Sequence, residues 1–166
     1  MRLLMNKVRN CKSGVSLIEL IVTLTILSIL ASLVLPSVQM TSKRTKELEL
    51  RRDLRTMRAA IDDFKKSADK ITGPPPTGLG KTGCPKTLGQ LVEGTDFGDV
   101  NGTKKKFLRR IPVDPFHPVM KDGAPEWGLR SYTDNPDSTT WGGDDVYDVY
   151  SLSEDTAIDG TKYKDW

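Results

Sequence analysis

The sequence predicts an α+β fold: a long N-terminal helix, membrane-spanning in its first half and amphipathic in its second, packed on a small antiparallel sheet with a long C-terminal loop. Three observations predict it. Residues 15–35 form a run of 21 residues with one ionisable group, Glu19. Leu50, Leu54, Met57, Ile61, Phe64 and Ala68 recur at alternating spacings of four and three, one apolar stripe on an otherwise charged segment. The β-forming residues come late, in 127–132 and in 145–152, where Val146, Tyr147, Val149 and Tyr150 gather.

Residues 1–14 carry Arg2, Lys7, Arg9 and Lys12 and no acid, and are read as a basic leader that is removed. The whole chain holds 25 Lys and Arg against 22 Asp and Glu; without the leader, 21 bases face 22 acids. The basic excess therefore belongs to the leader, and no nucleic-acid partner is expected. Cys11 lies in the leader too, which leaves Cys84 as the expected lone thiol, a small partly buried residue rather than a reactive one.

At about 1.5 Å per residue, 15–36 is long enough to cross a bilayer core of roughly 30 Å. The hydroxyls of Thr23, Thr25, Ser28 and Ser32 are tolerable there because they bond back to the helix. The basic leader favours a cytoplasmic N-terminus; Lys43, Arg44 and Lys46 on the far side oppose it, but the first helix usually dominates orientation. A secretory signal has a shorter apolar region with its small cleavage residue after it. Here Gly14 precedes the run, so cleavage at that point leaves the anchor on the mature chain. A carboxylate inside a membrane costs about 2.5–3.5 kcal/mol on insertion scales, which makes Glu19 a functional-site candidate. The plainer alternative is a side chain near the interface that snorkels to water.

Pro36 ordinarily ends or kinks a helix. The helical pattern continues beyond it, so one helix is expected over 15–66 with a bend at Pro36. Glu47 precedes Arg51, and Asp62 precedes Lys66, by four residues in the favourable order. The stripe needs a partner surface, and 37–166 is read as one globular domain that includes this half of the helix. The segment TGPPP (72–76) stops the helix, and Gly78, Gly80, Gly83 and Pro85 continue as a loop. Leu88, Leu91 and Val92 suggest a short helical turn. Residues 99–106 read as a surface loop, with Lys104 to Lys106 a solvated face.

Gly14-Val15-Ser16-Leu17-Ile18-Glu19, behind a basic leader and ahead of an apolar helix, resembles the class III signal of the type IV pilin-like superfamily. That resemblance implies that a prepilin peptidase cuts after Gly14 and methylates Val15. Counted from Val15, Glu19 is the fifth residue and Pro36 the twenty-second, where the superfamily places a glutamate and a helix-disrupting proline. It implies that Glu19 of one subunit neutralises the new α-amino group of a neighbour, and that the helix before Pro36 extends on assembly. The physics agrees: apolar side chains give little preference among axial offsets in lipid, whereas a desolvated charge pair penalises wrong ones. IPVDPFHP (111–118) and the closing VYSLSEDTAIDGTKYKDW (149–166) are similar to segments of the major pseudopilin family of type II secretion systems. Membership there implies a structural subunit, not an enzyme, that polymerises with itself into a helical filament driving protein export. The expected partners are minor pseudopilins, an inner-membrane assembly platform and the prepilin peptidase. The expected location is the bacterial inner membrane, single-pass, with the globular domain periplasmic and a periplasmic filament after assembly. Residues 131–145 read as an insertion relative to that pattern.

Asp155, Asp159 and Asp165, with Ser151 and Ser153, gather oxygen donors around Gly160. Such hard ligands suit calcium, which accepts about six to eight of them, though the spacing is not that of an EF-hand. An acidic surface loop is the other reading. The resemblance implies calcium here, with Asp155 and Asp165 as ligands and Leu152 and Ser153 as backbone or hydroxyl donors; Asp159 stands where the family often has glycine. Asp144, Asp145 and Asp148 compete for the role.

Two alternatives stand beside it, the first in the same superfamily and the second of another class. A type IV pilin for adhesion, motility or DNA uptake would often close a C-terminal loop with two cysteines, and only Cys84 remains. A membrane-anchored periplasmic enzyme would have to work around His117, the single histidine, with no nucleophile, zinc-binding or phosphate-binding motif beside it.

Overall fold

The structure, a computed structural model, describes residues 14–71, 79–80, 82–98, 102–118, 120–121 and 124–166, the side chains of 33–37 and 120–121 excepted. The leader before Gly14, with Cys11, lies outside the described residues. So do the helix stop with Gly78 (72–78) and the first part of the expected surface loop (99–101). The chain divides into two units, residues 1–41 and 42–166.

Helix α1 (Leu17–Ala68) is 52 residues long and runs through Pro36 without interruption. The bend expected at Pro36 is therefore not a break in helical structure. In the first unit, Thr23 donates to the carbonyl of Leu20 at 2.9 Å, and Thr25 and Ser28 donate to Ile21 and Leu24 at 2.8 Å. These hydroxyls satisfy themselves on their own helix, as a hydroxyl in an apolar run must. Among the described residues no helix is long and apolar enough to cross a membrane. The apolar stretch with described side chains ends at Ser32. From Leu17 that rises about 24 Å at about 1.5 Å per residue, short of a bilayer core.

In the second unit the stripe is the core. Leu50, Met57 and Phe64 are fully buried, Leu54 and Ile61 nearly so, and Ala68 is half-buried. Glu47 lies one step earlier on the same stripe and is buried as well. The pairs expected along the helix do not form as expected. Glu47 turns inward to other partners, Arg51 pairs with Asp159 at 3.1 Å, and Lys66 takes Asp63 at 3.1 Å rather than Asp62. A partner from outside the helix, or one residue nearer, outcompetes a weak surface pair.

The surface laid on the stripe is mostly loop. Helix α2 (Gly89–Glu93) is the short turn expected around Leu91, whose carbonyl accepts the amides of Phe107 and Leu108 at 2.9 Å. That tie places Phe107 and Phe97 against Phe64, with ring centroids 5.3 and 5.2 Å away. Lys104 to Lys106, just before it, are exposed as expected. Cys84 is a free thiol, fully rather than partly buried, and burial pushes its pKa up.

Two antiparallel ladders follow. Strands β1 (Met120–Lys121) and β2 (Ala124–Pro125) make one that the sequence pattern did not suggest. Strands β3 (Gly128–Arg130) and β4 (Asp148–Tyr150) make the expected one, pairing Gly128 with Tyr150, Leu129 with Val149 and Arg130 with Asp148. Both are shorter than their β-forming segments because side chains capture the next backbone groups. Asp134 accepts the amide of Ser131 at 2.7 Å beyond β3, and the Ser151 hydroxyl accepts that of Ser153 at 3.1 Å beyond β4. Gly128 is required where it stands, since a Cβ there would lie 2.3 Å from the Tyr150 ring. The chain closes through residues 151–162 and a 3-10 turn, Tyr163–Asp165.

Candidate functional site

The first candidate region begins at Gly14 and Val15, both exposed. Glu19 lies in the first turn of α1 and is exposed, among Leu17, Ile18, Leu20 and Ile21, each at least half exposed. A carboxylate in a first turn complements the positive end of the helix, so the position is locally favourable as well as costly in lipid. Leu24, Ile26, Leu27, Ile29 and Leu30 continue the exposure on every side of the helix. Exposed apolar side chains on every side of a helix, with few polar ones between them, are a surface that binding usually covers. Pro36 lies further along the same helix and is not brought next to Glu19.

The second candidate region is the closing loop and the part of α1 under it. Glu47 accepts the Tyr163 hydroxyl at 2.9 Å and the Ile158 amide at 2.8 Å. Burial, then the Glu47 carboxylate, pushes the Tyr163 phenol well above its ordinary range. Lys43 donates to the carbonyl of Thr156 at 2.6 Å, and Arg58 reaches Asp148 at 2.6 Å, the Val149 carbonyl at 3.0 Å and the Trp166 carbonyl at 2.7 Å. Lys43, Glu47, Arg51 and Arg58 thus all hold residues from the last strand onward. In the sequence these four are only charged residues before or beside the stripe. The signal that Glu47 belongs to the core was its register, three residues before Leu50.

The motif IPVDPFHP joins the same loop from the other side. Asp114 is buried, accepts the Phe116 amide at 2.8 Å and takes the Ser151 hydroxyl at 2.5 Å. Phe116 stacks on Tyr163 with centroids 4.0 Å apart, and Trp127 donates its indole N–H to the Pro112 carbonyl at 2.9 Å. His117 is half-buried on the segment's outer end.

The expected calcium ligands share this loop without converging as carboxylates. Among the described residues no group of three or more His, Cys, Asp or Glu side chains is placed to hold a metal. Asp159 is engaged on both oxygens: Oδ1 accepts the Thr161 amide at 3.0 Å and hydroxyl at 2.6 Å, and Oδ2 meets Arg51. Those Thr161 bonds, then Arg51, hold its carboxyl below the usual carboxylate range. Asp155 and Asp165 are exposed, Ser153 is buried, and Leu152 is half-buried. Of the competing acids, Asp145 accepts the Thr82 hydroxyl and the Tyr132 amide, and Asp148 is held by Arg58 and Arg130.

Comparison with known proteins adds two findings. The prokaryotic N-terminal methylation motif matches residues 9–35. The chain is 30% identical over 149 residues to type II secretion system core protein G of Pseudomonas aeruginosa, covering 89% of this chain and 87% of that protein. No solved structure matches the chain.

Proposed function

The chain belongs to the family of type II secretion core protein G, the structural subunits of the pseudopilus, and we propose that it works there through its exposed N-terminal helix. A prepilin peptidase cuts after Gly14 and methylates Val15. Residues 15–36 anchor the chain once across the inner membrane, N-terminus cytoplasmic and residues 37–166 periplasmic. The observation that supports this most is the exposed helix surface from Leu17 to Leu30, with large apolar side chains on every side. Packed against neighbouring copies, it forms the shaft of a periplasmic filament. Glu19 pairs with the Val15 amine of a neighbour and fixes the axial offset, and Pro36 is where the helix yields on assembly. Minor pseudopilins and an inner-membrane platform complete the machine, and the chain itself catalyses nothing.

The closing loop carries a separate proposal, calcium held by Asp155, Asp165, Ser153 and Leu152. When bound, the ion supplies charge compensation to two exposed carboxylates. Asp159 was expected to join this set; its carboxylate meets Arg51 and Thr161.

Glu19→Ala tests the assembly reading. Expressed in full with the peptidase and the platform, the variant remains in the membrane and begins at Val15 by mass spectrometry, but yields no sheared filament. Filaments at the wild-type level would overturn the role given to Glu19; an uncut chain would overturn the cleavage after Gly14.

A further inference from the structure

We propose that Arg51 does at Asp159 what a bound cation would otherwise do, so that the closing loop is fastened to helix α1 without metal. Four side chains form a closed circuit. Arg51 pairs with Asp159 Oδ2 at 3.1 Å, and Asp159 Oδ1 accepts the Thr161 hydroxyl at 2.6 Å. The Thr161 oxygen accepts the Trp166 indole N–H at 2.7 Å, and the Trp166 ring lies under the Arg51 guanidinium, 4.0 Å from its centroid. Each member has one partner on either side.

The circuit closes the loop onto the helix. Ala157 donates to the Thr161 carbonyl at 2.7 Å and Gly160 to the Ala157 carbonyl at 3.1 Å, a tight turn with Gly160 at a φ of 88°. The turn presents Asp159 outward to Arg51, which stands on the helix rather than in the loop. A planar guanidinium suits this position because it satisfies a carboxylate with its edge and an aromatic ring with its face. A metal ion at Asp159 would compete with the Arg51 guanidinium for Oδ2 and be repelled by its charge.

The latch does not depend on the filament reading, and it is separable from calcium at Asp155 and Asp165. Those residues lie outside the circuit, and an ion there would add to the latch rather than form it.

The test is hydrogen exchange by mass spectrometry on the full chain in detergent micelles, comparing peptides from 152–166 with helix peptides from 50–64. In excess chelator, where any ion at Asp155 and Asp165 is removed, the wild-type tail remains protected relative to the variants below. Arg51→Gln speeds tail exchange in chelator and in millimolar calcium by about tenfold, the scale of removing one exposed ion pair together with one cation–π interaction, while the helix peptides are unchanged. Asp159→Asn does the same from the other side of the pair and serves if Arg51→Gln disturbs the helix. A wild-type tail that exchanges in chelator as fast as that of Arg51→Gln would overturn the proposal. So would variants at both positions whose tails exchange like the wild type.

Discussion

Glu47→Ala should be the most damaging change of a charged residue on the helix. Glu47 is 8% exposed and accepts two bonds, from the fully buried Tyr163 hydroxyl and from the Ile158 amide. Truncation leaves the hydroxyl without an acceptor, at about 2 kcal/mol, while the amide of the exposed Ile158 recovers water and loses about 1 kcal/mol. The expected loss is about 3 kcal/mol, a fall in midpoint of roughly 6–12 °C for a domain of this size. Thermal melts of the full chain in micelles, followed by circular dichroism, measure it. Glu47→Gln keeps an acceptor oxygen and should lose about 1 kcal/mol. In a Tyr163→Phe background the hydroxyl is already gone, so Glu47→Ala should cost about 2 kcal/mol less there. A Glu47→Ala variant within about 0.5 kcal/mol of wild type, or additive losses in the double variant, would refute the reasoning.

Gly128→Ala drives a methyl into the Tyr150 ring and should destabilise by about 1–3 kcal/mol; an unchanged midpoint would mean the ring moves aside freely. Because the Asp159 carboxyl titrates below its ordinary value of 3.8, its contribution is complete above that value and disappears as pH falls through the lower folded one. The difference in midpoint between wild type and Asp159→Asn should therefore be constant above about pH 5 and shrink toward pH 3. Tyr163 is shifted the other way, so the stability it confers is present below its ordinary value of 10.0 and is lost as pH rises beyond it. In a spectrophotometric titration, one of the 4 tyrosines should ionise only when the fold is lost, and Tyr163→Phe should remove that step.

The helix and its two characters were legible because periodicity reports burial: the residues spaced by four and three are those the core covers. The β3–β4 pair was legible in outline, from Trp127 and Val149, since β-branched and aromatic residues favour a pleated half-buried surface. What covers the stripe was not, because Phe97 and Phe107 stand in loops and Tyr163 in a single 3-10 turn, with no period to betray them. The polar latch was hidden for a different reason. Lys43, Arg51 and Arg58 read as ordinary surface charges, and only tertiary proximity shows that their partners lie more than a hundred residues away, or 90 in the case of Asp148. At the other end, the methylation motif over residues 9–35 was legible through register in a linear signal, which needs no fold to be recognised.

The pairing of Glu47 with Tyr163 spans 116 residues, and that of Arg58 with Trp166 spans 108. Such separations govern how quickly the domain forms. Helical turns close in about a microsecond, but contacts this remote wait for the chain to find its own far end, and their closure entropy comes before any reward. During synthesis the helix emerges first and its covering surface last. For that interval Leu50, Leu54, Met57, Ile61 and Phe64 form a bare apolar ridge on a nascent chain. Misassociation between unfinished chains is therefore a race against completion, and changes that slow the arrival of residues 146–166 should lower yield before they lower stability.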